Sequence, residues 1–223
     1  MTRADRGLRE KTDFGTDKEI WGSIGEERLK QIIQKTGKRF EDTTGILAFR
    51  HFDIDFIVYD DDVLTYRDLL KEYYNGRDGK DLPLKTYECK TDTHGLISRN
   101  IVYENFSNSN PGCMARSTAD YILYIFVDNE SKEIKEEYVI DLHALRWWLC
   151  INHRHIGQKK FDKIEKDGST TQKYLINPKT MRRGKDNTGI YLLDIDYLSD
   201  YSIKHQNEKY GKIVCKRKIF DNT

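Results

Sequence analysis

The stretch "TYECKTD", residues 86–92, has the composition of a short strand but carries Glu88 and Lys90 two residues apart. Side chains alternate between the two faces of a strand, so we expect these two charged groups on the same face. Charges on an exposed strand face are common, and a surface ion pair is the simpler interpretation of an isolated Glu-x-Lys. A chemical role therefore depends on what the rest of the chain brings to this strand.

The composition limits the classes of function. The chain has 223 residues, enough for one large domain with a substantial core. Charged residues make up 34% of it, yet the net charge is only +1, so the strong global field of a highly basic nucleic-acid-binding protein is absent. Local basic segments occur at 38–40, 181–185 and 212–218. Fourteen tyrosines could fill a core or stack on bases.

The cysteines and the chain start indicate the compartment. Cys89, Cys113, Cys150 and Cys215 are scattered and form no Cys-x-x-Cys pair, which is typical of a reducing environment. The N-terminal residues are charged and contain no apolar run, so we expect no secretory signal. No stretch approaches the roughly twenty apolar residues that cross a bilayer. Together these features predict a soluble, cytoplasmic protein with no membrane partner.

The order of helices and strands predicts one α/β domain over residues 19–223, preceded by a flexible segment at 1–18. Apolar residues at helical spacing predict a helix over 22–36, ended by Gly37. Residues 46–62 are rich in Ile, Phe and Val and alternate in their second half, which predicts one or two strands. Further strands are expected at 82–92, 98–107, 118–128 and 132–141, with a loop at 108–117, a helix at 142–154 and short strands in "QKYLIN" and "GIYLLDI".

Acidic residues on a second strand could join Glu88. In "FDIDFIVY" (52–59) the alternation places Asp53 and Asp55 on one face. If this strand neighbours "TYECKTD", the carboxylates and Lys90 converge on one spot. Carboxylates are the hard oxygen ligands that Mg²⁺ prefers, and a bound metal can activate water and polarise a phosphodiester. A lysine there would supply a compact cation near the attacking water.

The first helix offers another carboxylate. Glu26 precedes Leu29 by three residues and Ile33 by seven, so it falls on the apolar side of the helix. A buried glutamate is costly unless a metal or a lysine pairs with it. A first-turn glutamate favoured by the helix dipole is an equal alternative from this stretch alone.

These residues, taken in order, resemble a known family. A helix with Glu26, a strand with an aspartate and then Glu88-x-Lys90 are similar to the PD-(D/E)xK nuclease superfamily. Within it, "YECKTDTHGLISRNIVYENFSNSNPGCMARSTADYILYIF" resembles a phage and bacterial group with the blocks E-x-K-T-D, N-x-x-x-E and S-T-A-D-Y. The resemblance covers about residues 22–155, the expected catalytic core, and leaves 156–223 as a C-terminal elaboration.

The resemblance implies roles for individual residues. Asp53 and Glu88 would bind the metal, Lys90 would serve catalysis and Glu26 would assist, with Asp55 as the alternative metal-binding aspartate. Supporting positions would be Asn100, Glu104, Ser117, Thr118 and Asp120. Two departures from the family pattern stand out: residues 60–84 lie between the two catalytic strands, and "RN" at 99–100 replaces "GN".

The implied protein is a Mg²⁺-dependent DNA endonuclease, with Mn²⁺ as a substitute metal, in a bacterium or a phage-infected host cell. Its implied fold is restriction-endonuclease-like, a central mixed β-sheet flanked by helices. Cutting both strands of a duplex requires two sites, which a homodimer would supply. Within the enzyme class, an exonuclease, a Holliday-junction resolvase, a homing endonuclease and a restriction enzyme share this core and stay open. Two rivals from other classes stay open as well: a catalytically inactive nucleic-acid-binding module, and a phage structural or partner-binding protein of the same fold. The sequence contains no glycine-rich phosphate-binding loop, which argues against an ATP-driven enzyme.

Overall fold

The computed structural model describes residues 20–77, 81–108, 110–183 and 186–217, without the side chains of Arg182, Arg183 and Asp186. The flexible segment expected at 1–18 lies outside these residues. So do parts of the basic segments at 181–185 and 212–218.

A six-stranded mixed sheet forms the centre of the fold. Its strands are β1 (Phe40–Asp42), β2 (Phe56–Tyr59), β3 (Leu84–Asp92), β6 (Tyr121–Val127), β7 (Ile134–Asp141) and β12 (Val214–Arg217). They lie in the order β1-β2-β3-β6-β7-β12. All neighbouring pairs are antiparallel except β3 and β6, which run parallel. β6 is buried along nearly its whole length because it is central and covered on both faces.

A second sheet and a hairpin complete the strands. The second sheet comprises β4 (Asn100–Ser107), β5 (Asn110–Pro111), β10 (Asn177–Arg183) and β11 (Asp186–Asp194), in the order β10-β11-β4-β5. The separate hairpin pairs β8 (Lys160–Ile164) with β9 (Thr170–Tyr174). β4 follows β3 along the chain after the helix at Gly95–Ser98, and the Val102 N–H of β4 donates to the Tyr124 hydroxyl of β6 at 3.1 Å.

Two of the helices begin directly at the ends of strands. They are α1 (residues 20–34), α2 (Leu47–Arg50), α3 (Tyr66–Tyr74), α4 (Gly95–Ser98), α5 (Cys113–Arg116), α6 (Leu142–Ile151) and α7 (Ile195–Lys204). Asp141 and Asp194, the last residues of β7 and β11, cap α6 and α7 by accepting hydrogen bonds from backbone N–H groups of the first turn. These caps let a strand turn into a helix without a loop.

Helices pack on both faces of the central sheet. α1 buries Leu29 and Ile33 on one face, against Val58 of β2 and Leu123 of β6. On the other face, α6 buries Trp148 in a larger core. A third cluster joins α2 and α3 to β2 and β3. The structure is therefore a mixed α/β fold with a mixed sheet flanked by helices.

Most elements expected from the sequence are confirmed. The first helix occupies residues 20–34, and the strands expected at 82–92, 98–107, 118–128 and 132–141 are β3, β4, β6 and β7. β6 and β7 form the expected antiparallel pair. The helix expected at 142–154 is α6, which continues into a 3₁₀ turn at His153–His155.

The prediction for residues 46–62 was wrong in its first half. This part forms α2 and a turn, and β2 starts only at Phe56. A helix of four residues is too short to show helical periodicity in the sequence. Its one buried side chain is Phe49, an aromatic residue of the kind that is common in strands. Residues 108–117, expected as loop, contain β5 and the single-turn helix α5. Of the C-terminal part, β8, β10, β12 and α7 were not predicted.

None of the helices in the described ranges has both the length and the apolar character needed to pass through a membrane.

A network of charged side chains ties the hairpin and the second sheet to the central sheet. Asp196 at the start of α7 accepts two hydrogen bonds from the Arg99 guanidinium, at 2.7 and 3.1 Å, and one from Lys163 of β8 at 2.8 Å. Arg99 also donates to Glu136 of β7. Burial acts to raise the pKa of Asp196, but Arg99 and Lys163 together lower it to about 2.

We expect Asp196→Asn to destabilise the protein at pH 7 and much less so in acid. The folded state lowers the Asp196 pKa from its ordinary 3.8, so its stabilisation is present above pH 3.8 and is lost as the pH falls towards 2. The side chain is 44% exposed, so solvent screening leaves an effect on the order of 1 kcal/mol. Urea unfolding at several pH values measures it. The exposed Asp200→Asn on the same helix is the control, and equal losses in both variants would contradict the role of the network.

Candidate active site

Glu88 and Lys90 lie on the same face of β3, as the alternation predicts. Tyr87 and Cys89 pack in the cluster that contains α1, so the intervening Glu88 and Lys90 point to the opposite face. Lys90 Nζ forms an ion pair with Glu88 Oε1. The Glu88 side chain is only 4% exposed, whereas that of Lys90 is 32% exposed. The pair is therefore a partly buried one, with the carboxylate inside and the ammonium nearer the solvent.

No group in the described ranges forms a hydrogen bond with the second oxygen of Glu88. Glu88 Oε2 is buried and unpaired, although Oε1 is held by Lys90. A buried carboxylate oxygen without a partner costs free energy, because the hydration lost on burial is not replaced. Such an exception indicates either a strained structural position or a site for a missing group.

Asp55 lies next to Glu88 but directly precedes β2, so it is not within the strand that the sequence predicted. Phe56 pairs with Tyr87, so the preceding Asp55 is opposite Glu88 where the regular pairing of β2 and β3 ends. The Cys89 N–H donates to Asp55 Oδ2 at 2.8 Å, in place of a strand carbonyl. This bond fixes the carboxylate against β3 through Oδ2, and no hydrogen bond from the described part of the chain reaches Oδ1.

Asp53 occupies a turn before β2, so it is not a strand residue as the sequence suggested. Its backbone has φ = 48°, in the left-handed region. Its carboxylate accepts two hydrogen bonds from Arg116, from Nε at 2.7 Å and from a terminal nitrogen at 3.1 Å. The structure thus distinguishes the two aspartates: Asp55 is anchored beside Glu88, and Asp53 is paired with Arg116.

The electrostatics show that these groups act on one another. Burial raises the pKa of Glu88; Lys90 opposes this, and the charges of Asp53 and Asp55 add to it. Burial also raises the pKa of Asp55. Burial acts to lower the pKa of Lys90, but Glu88, Cys113 and Asp55 raise it overall. The lysine therefore stays charged, while the carboxylates crowd one another. We call Asp53, Asp55, Glu88 and Lys90 the Glu88 cluster.

Glu26 approaches the Glu88 cluster from α1, on the other side of β3. Its negative charge contributes to the raised pKa of Asp55, and burial followed by Asp42 raises the pKa of Glu26 itself. α1 comes close to β3 at Gly25, whose carbonyl accepts a hydrogen bond from the Cys89 thiol at 3.1 Å. The structure therefore brings Glu26 within electrostatic range of Asp55 at the strand end.

The two supporting positions occupy different points along β4. Glu104 accepts a hydrogen bond from the Cys113 thiol at 3.0 Å. Burial raises the pKa of Cys113 to about 12; Lys90 opposes this shift, and Glu104 and Glu88 add to it. Asn100 pairs with Asp194 at the start of β4, about 13 Å along the strand from Glu104. Glu104 is thus linked to the Glu88 cluster through Cys113, whereas Asn100 lies at the start of the strand beside Asp194.

Ser117 and Thr118 hold the turn that carries Asp53. The buried Ser117 hydroxyl donates to the Asp53 carbonyl at 3.0 Å, and the Thr118 N–H donates to the Phe52 carbonyl at 2.9 Å. These bonds connect the segment after α5 to the residues before β2. Their contribution to the site is to position the chain.

Asp120 connects β3, β6 and α6. It accepts hydrogen bonds from the Thr86 N–H and hydroxyl at 2.9 and 3.0 Å, and His143 lies 3.6 Å from its other oxygen. Burial acts to raise the pKa of Asp120, but His143 and Thr86 lower it overall. Asp120 is thus already satisfied by protein groups, which favours a structural role at the parallel β3–β6 junction.

The sequence did not single out Arg116 or Cys113 as neighbours of the Glu88 cluster. Both lie on α5, a single-turn helix in a stretch expected to be loop. The one available signal was their position directly before "STAD", which the resemblance had marked.

Comparisons with known proteins add no family: no family model matches the chain, and neither a curated protein nor a solved structure matches it. Within the described ranges, no group of three or more His, Cys, Asp or Glu side chains is arranged to hold a metal ion. The assignment of this site therefore depends on its own geometry.

The contact between α1 and β3 can be tested with two glycines of one helix. A Cβ added at Gly25 would lie 2.6 Å from Thr91 Oγ1, whereas one at Gly22 would meet nothing within 4 Å. We expect Gly25→Ala to destabilise the protein by about 1–3 kcal/mol through overpacking. Gly22→Ala should instead leave stability equal or raise it by up to about 1 kcal/mol. Chemical denaturation measures both, and a Gly25→Ala variant as stable as Gly22→Ala would contradict this packing.

Proposed function

We propose that this protein is a metal-dependent DNA endonuclease whose active site is the Glu88 cluster. The observation that carries the proposal is the buried Glu88 carboxylate, which lies beside Asp55 and Lys90 and has one oxygen that no described residue engages. A purely structural ion pair would not require the crowding of further carboxylates around it. The mixed sheet flanked by helices is compatible with the restriction-endonuclease-like fold that the sequence resemblance implies.

The residues present fit Mg²⁺. The unpaired Glu88 Oε2 and the available Asp55 Oδ1 are hard oxygen donors, and Mg²⁺ in proteins commonly uses one or two carboxylates and keeps several waters. This requirement is compatible with the absence of a group of three or more ligands among the described residues. When bound, the metal would supply an activated water and polarise the phosphodiester.

The geometry favours Asp55 over Asp53 as the partner of Glu88. Asp55 is fixed by the Cys89 N–H and lies opposite Glu88, whereas both oxygens of Asp53 are engaged by Arg116. We therefore assign metal binding to Asp55 and Glu88, which reverses the order that the sequence favoured.

Lys90 and Glu26 complete the proposed mechanism. Lys90 remains protonated next to Glu88, with its ammonium nearer the solvent, so it can orient the attacking water and stabilise negative charge that develops on the phosphate. Glu26 adds negative charge near Asp55 from α1 and would assist through water. DNA as the substrate and a homodimer as the assembly follow from the resemblance, with which these roles agree.

Metal binding should be detectable without activity. We expect Mg²⁺ or Mn²⁺ to raise the thermal stability of the wild type, by about 1.4 kcal/mol at a tenfold excess over Kd. Glu88→Gln and Asp55→Asn should lose most of this increase, because each removes one charged ligand. A matched control exists in Glu133 and Lys135, an exposed ion pair with the same Glu-x-Lys spacing. If Glu133→Gln changes the metal response as much as Glu88→Gln does, the metal does not bind at the Glu88 cluster.

Cleavage tests the function itself. We expect the protein to cut supercoiled, linear or single-stranded DNA with Mg²⁺ or Mn²⁺, and Glu88→Gln and Lys90→Gln to lower the rate about 100-fold or more, because each loses charge at the reacting group. Lys135→Gln should cleave like the wild type. Gel assays with these substrates measure the rates, after circular dichroism has shown that each variant is folded.

The outcomes separate the rival functions. DNA binding without cleavage in either metal would favour the inactive nucleic-acid-binding module. Folded protein that binds neither metal nor DNA would favour the structural or partner-binding protein. Either result would overturn the enzymatic proposal.

A further inference from the structure

The Asp53–Arg116 pair is the least explained contact around the Glu88 cluster. The guanidinium meets both oxygens of the carboxylate with two side-by-side hydrogen bonds, at 2.7 and 3.1 Å. Arginine makes the same two-bond geometry with a phosphate group. The Asp53 carboxylate thus occupies the position that a phosphate would take on this arginine.

The pair is oriented with its cation outward. The Arg116 side chain is 49% exposed, whereas that of Asp53 is 15% exposed. Arg116 ends α5, whose first residue, Cys113, interacts electrostatically with Lys90. Asp53 in turn influences the pKa of Glu88. A ligand at the Glu88 cluster would therefore meet the Arg116 guanidinium from the solvent side.

The backbone around the pair is fixed more firmly than an exposed ion pair requires. Asp53 has a left-handed backbone conformation. The hydroxyl of Ser117, the residue after Arg116, donates a hydrogen bond to the Asp53 carbonyl. On the other side, Arg146 donates to the carbonyls of Met114 and Ser117 at 2.7 and 2.6 Å. Exposed ion pairs contribute little to stability, so this rigidity indicates that the position of the guanidinium matters.

The negative charge around Arg116 indicates a role for its guanidinium in binding phosphate. Asp53, Asp55, Glu88 and Glu104 are four carboxylates, and Lys90 and Arg116 are the cations paired with or near them. Such an acidic surrounding would repel the phosphates of DNA. An arginine at the rim offsets this repulsion at the place where a phosphate must enter.

We propose that Arg116 is a positioning residue that binds a phosphate of the DNA strand, and that Asp53 is a built-in phosphate mimic that holds the guanidinium ready until the substrate displaces it. This inference rests on the proposed nuclease function and deepens it. It makes Asp53 a competitor of the substrate, so that removing its charge should strengthen DNA binding.

The test measures DNA binding without cleavage. In the Glu88→Gln background, fluorescence anisotropy with a short labelled duplex in Mg²⁺ gives the Kd at several salt concentrations. Adding Arg116→Gln should weaken binding about tenfold and reduce the magnitude of the salt slope by about one. Arg116→Lys should retain the slope but lose part of the affinity, because lysine cannot form the two-bond contact. Adding Asp53→Asn should strengthen binding several-fold.

A second exposed pair, Arg77 with Glu72 at the end of α3, provides the control. Arg77→Gln and Glu72→Gln should leave the affinity close to that of the background protein. Equal losses from Arg77→Gln and Arg116→Gln would show a general charge effect and overturn the proposal. So would weaker binding by Asp53→Asn, or an Arg116→Lys variant that binds DNA as tightly as the background protein.

Failure here is distinguishable from failure of the proposed function. If the wild type cleaves DNA but Arg116→Gln binds it normally in the Glu88→Gln background, the nuclease function stands and Arg116 has no positioning role. If the Glu88→Gln protein binds no DNA and the wild type does not cleave it, both proposals fall. Thermal unfolding of Arg116→Gln and Arg116→Lys should give equal stabilities, which excludes a merely structural explanation for a difference between them.

Discussion

The burial of the Glu88 carboxylate is the constraint on which the rest of the site depends. A carboxylate that is 4% exposed must be compensated, and among the residues that the structure describes Lys90 pairs with one of its two oxygens. The neighbouring Asp53 and Asp55 add negative charge, which raises the pKa of Glu88 further. A fold that needed only stability would satisfy the second oxygen or replace the pair by apolar groups. The second oxygen is therefore the feature from which the proposed metal binding follows.

Much of the central sheet could be predicted, because its strands carry strong signals. β3, β6 and β7 combine β-branched and aromatic residues with clear ends, and the face shared by Glu88 and Lys90 follows directly from the two-residue period of a strand. The expected convergence of an aspartate with Glu88 also followed from the alternation of side chains along a strand and from the assumption that the two strands are neighbours. The pairing of β2 with β3 places Asp55 there.

What could not be predicted came from short elements and long-range contacts. α2 and α5 are single turns of helix, too short for a periodic signal, so Asp53 was assigned to a strand and Arg116 was not considered. The partners of Asp120, Thr86 and His143, lie on different elements and are visible only in three dimensions. The resemblance marked Ser117 and Asp120, but the structure shows that they act on the backbone and on neighbouring strands.

The long connection between β2 and β3 has a consequence for how chains with this arrangement could diversify. The chain leaves the sheet after Tyr59 and returns to it at Leu84. Tyr59 and Leu84 pair with each other, at the opposite end of the β2–β3 pairing from Asp55 and Glu88. Four consecutive β2–β3 residue pairs lie between this connection and the acidic residues Asp55 and Glu88. Gain or loss of length in this excursion therefore does not shift the relative alignment of the two acidic residues. The chain can carry an accessory helix, α3, between these two strands while the arrangement of the acids is inherited unchanged.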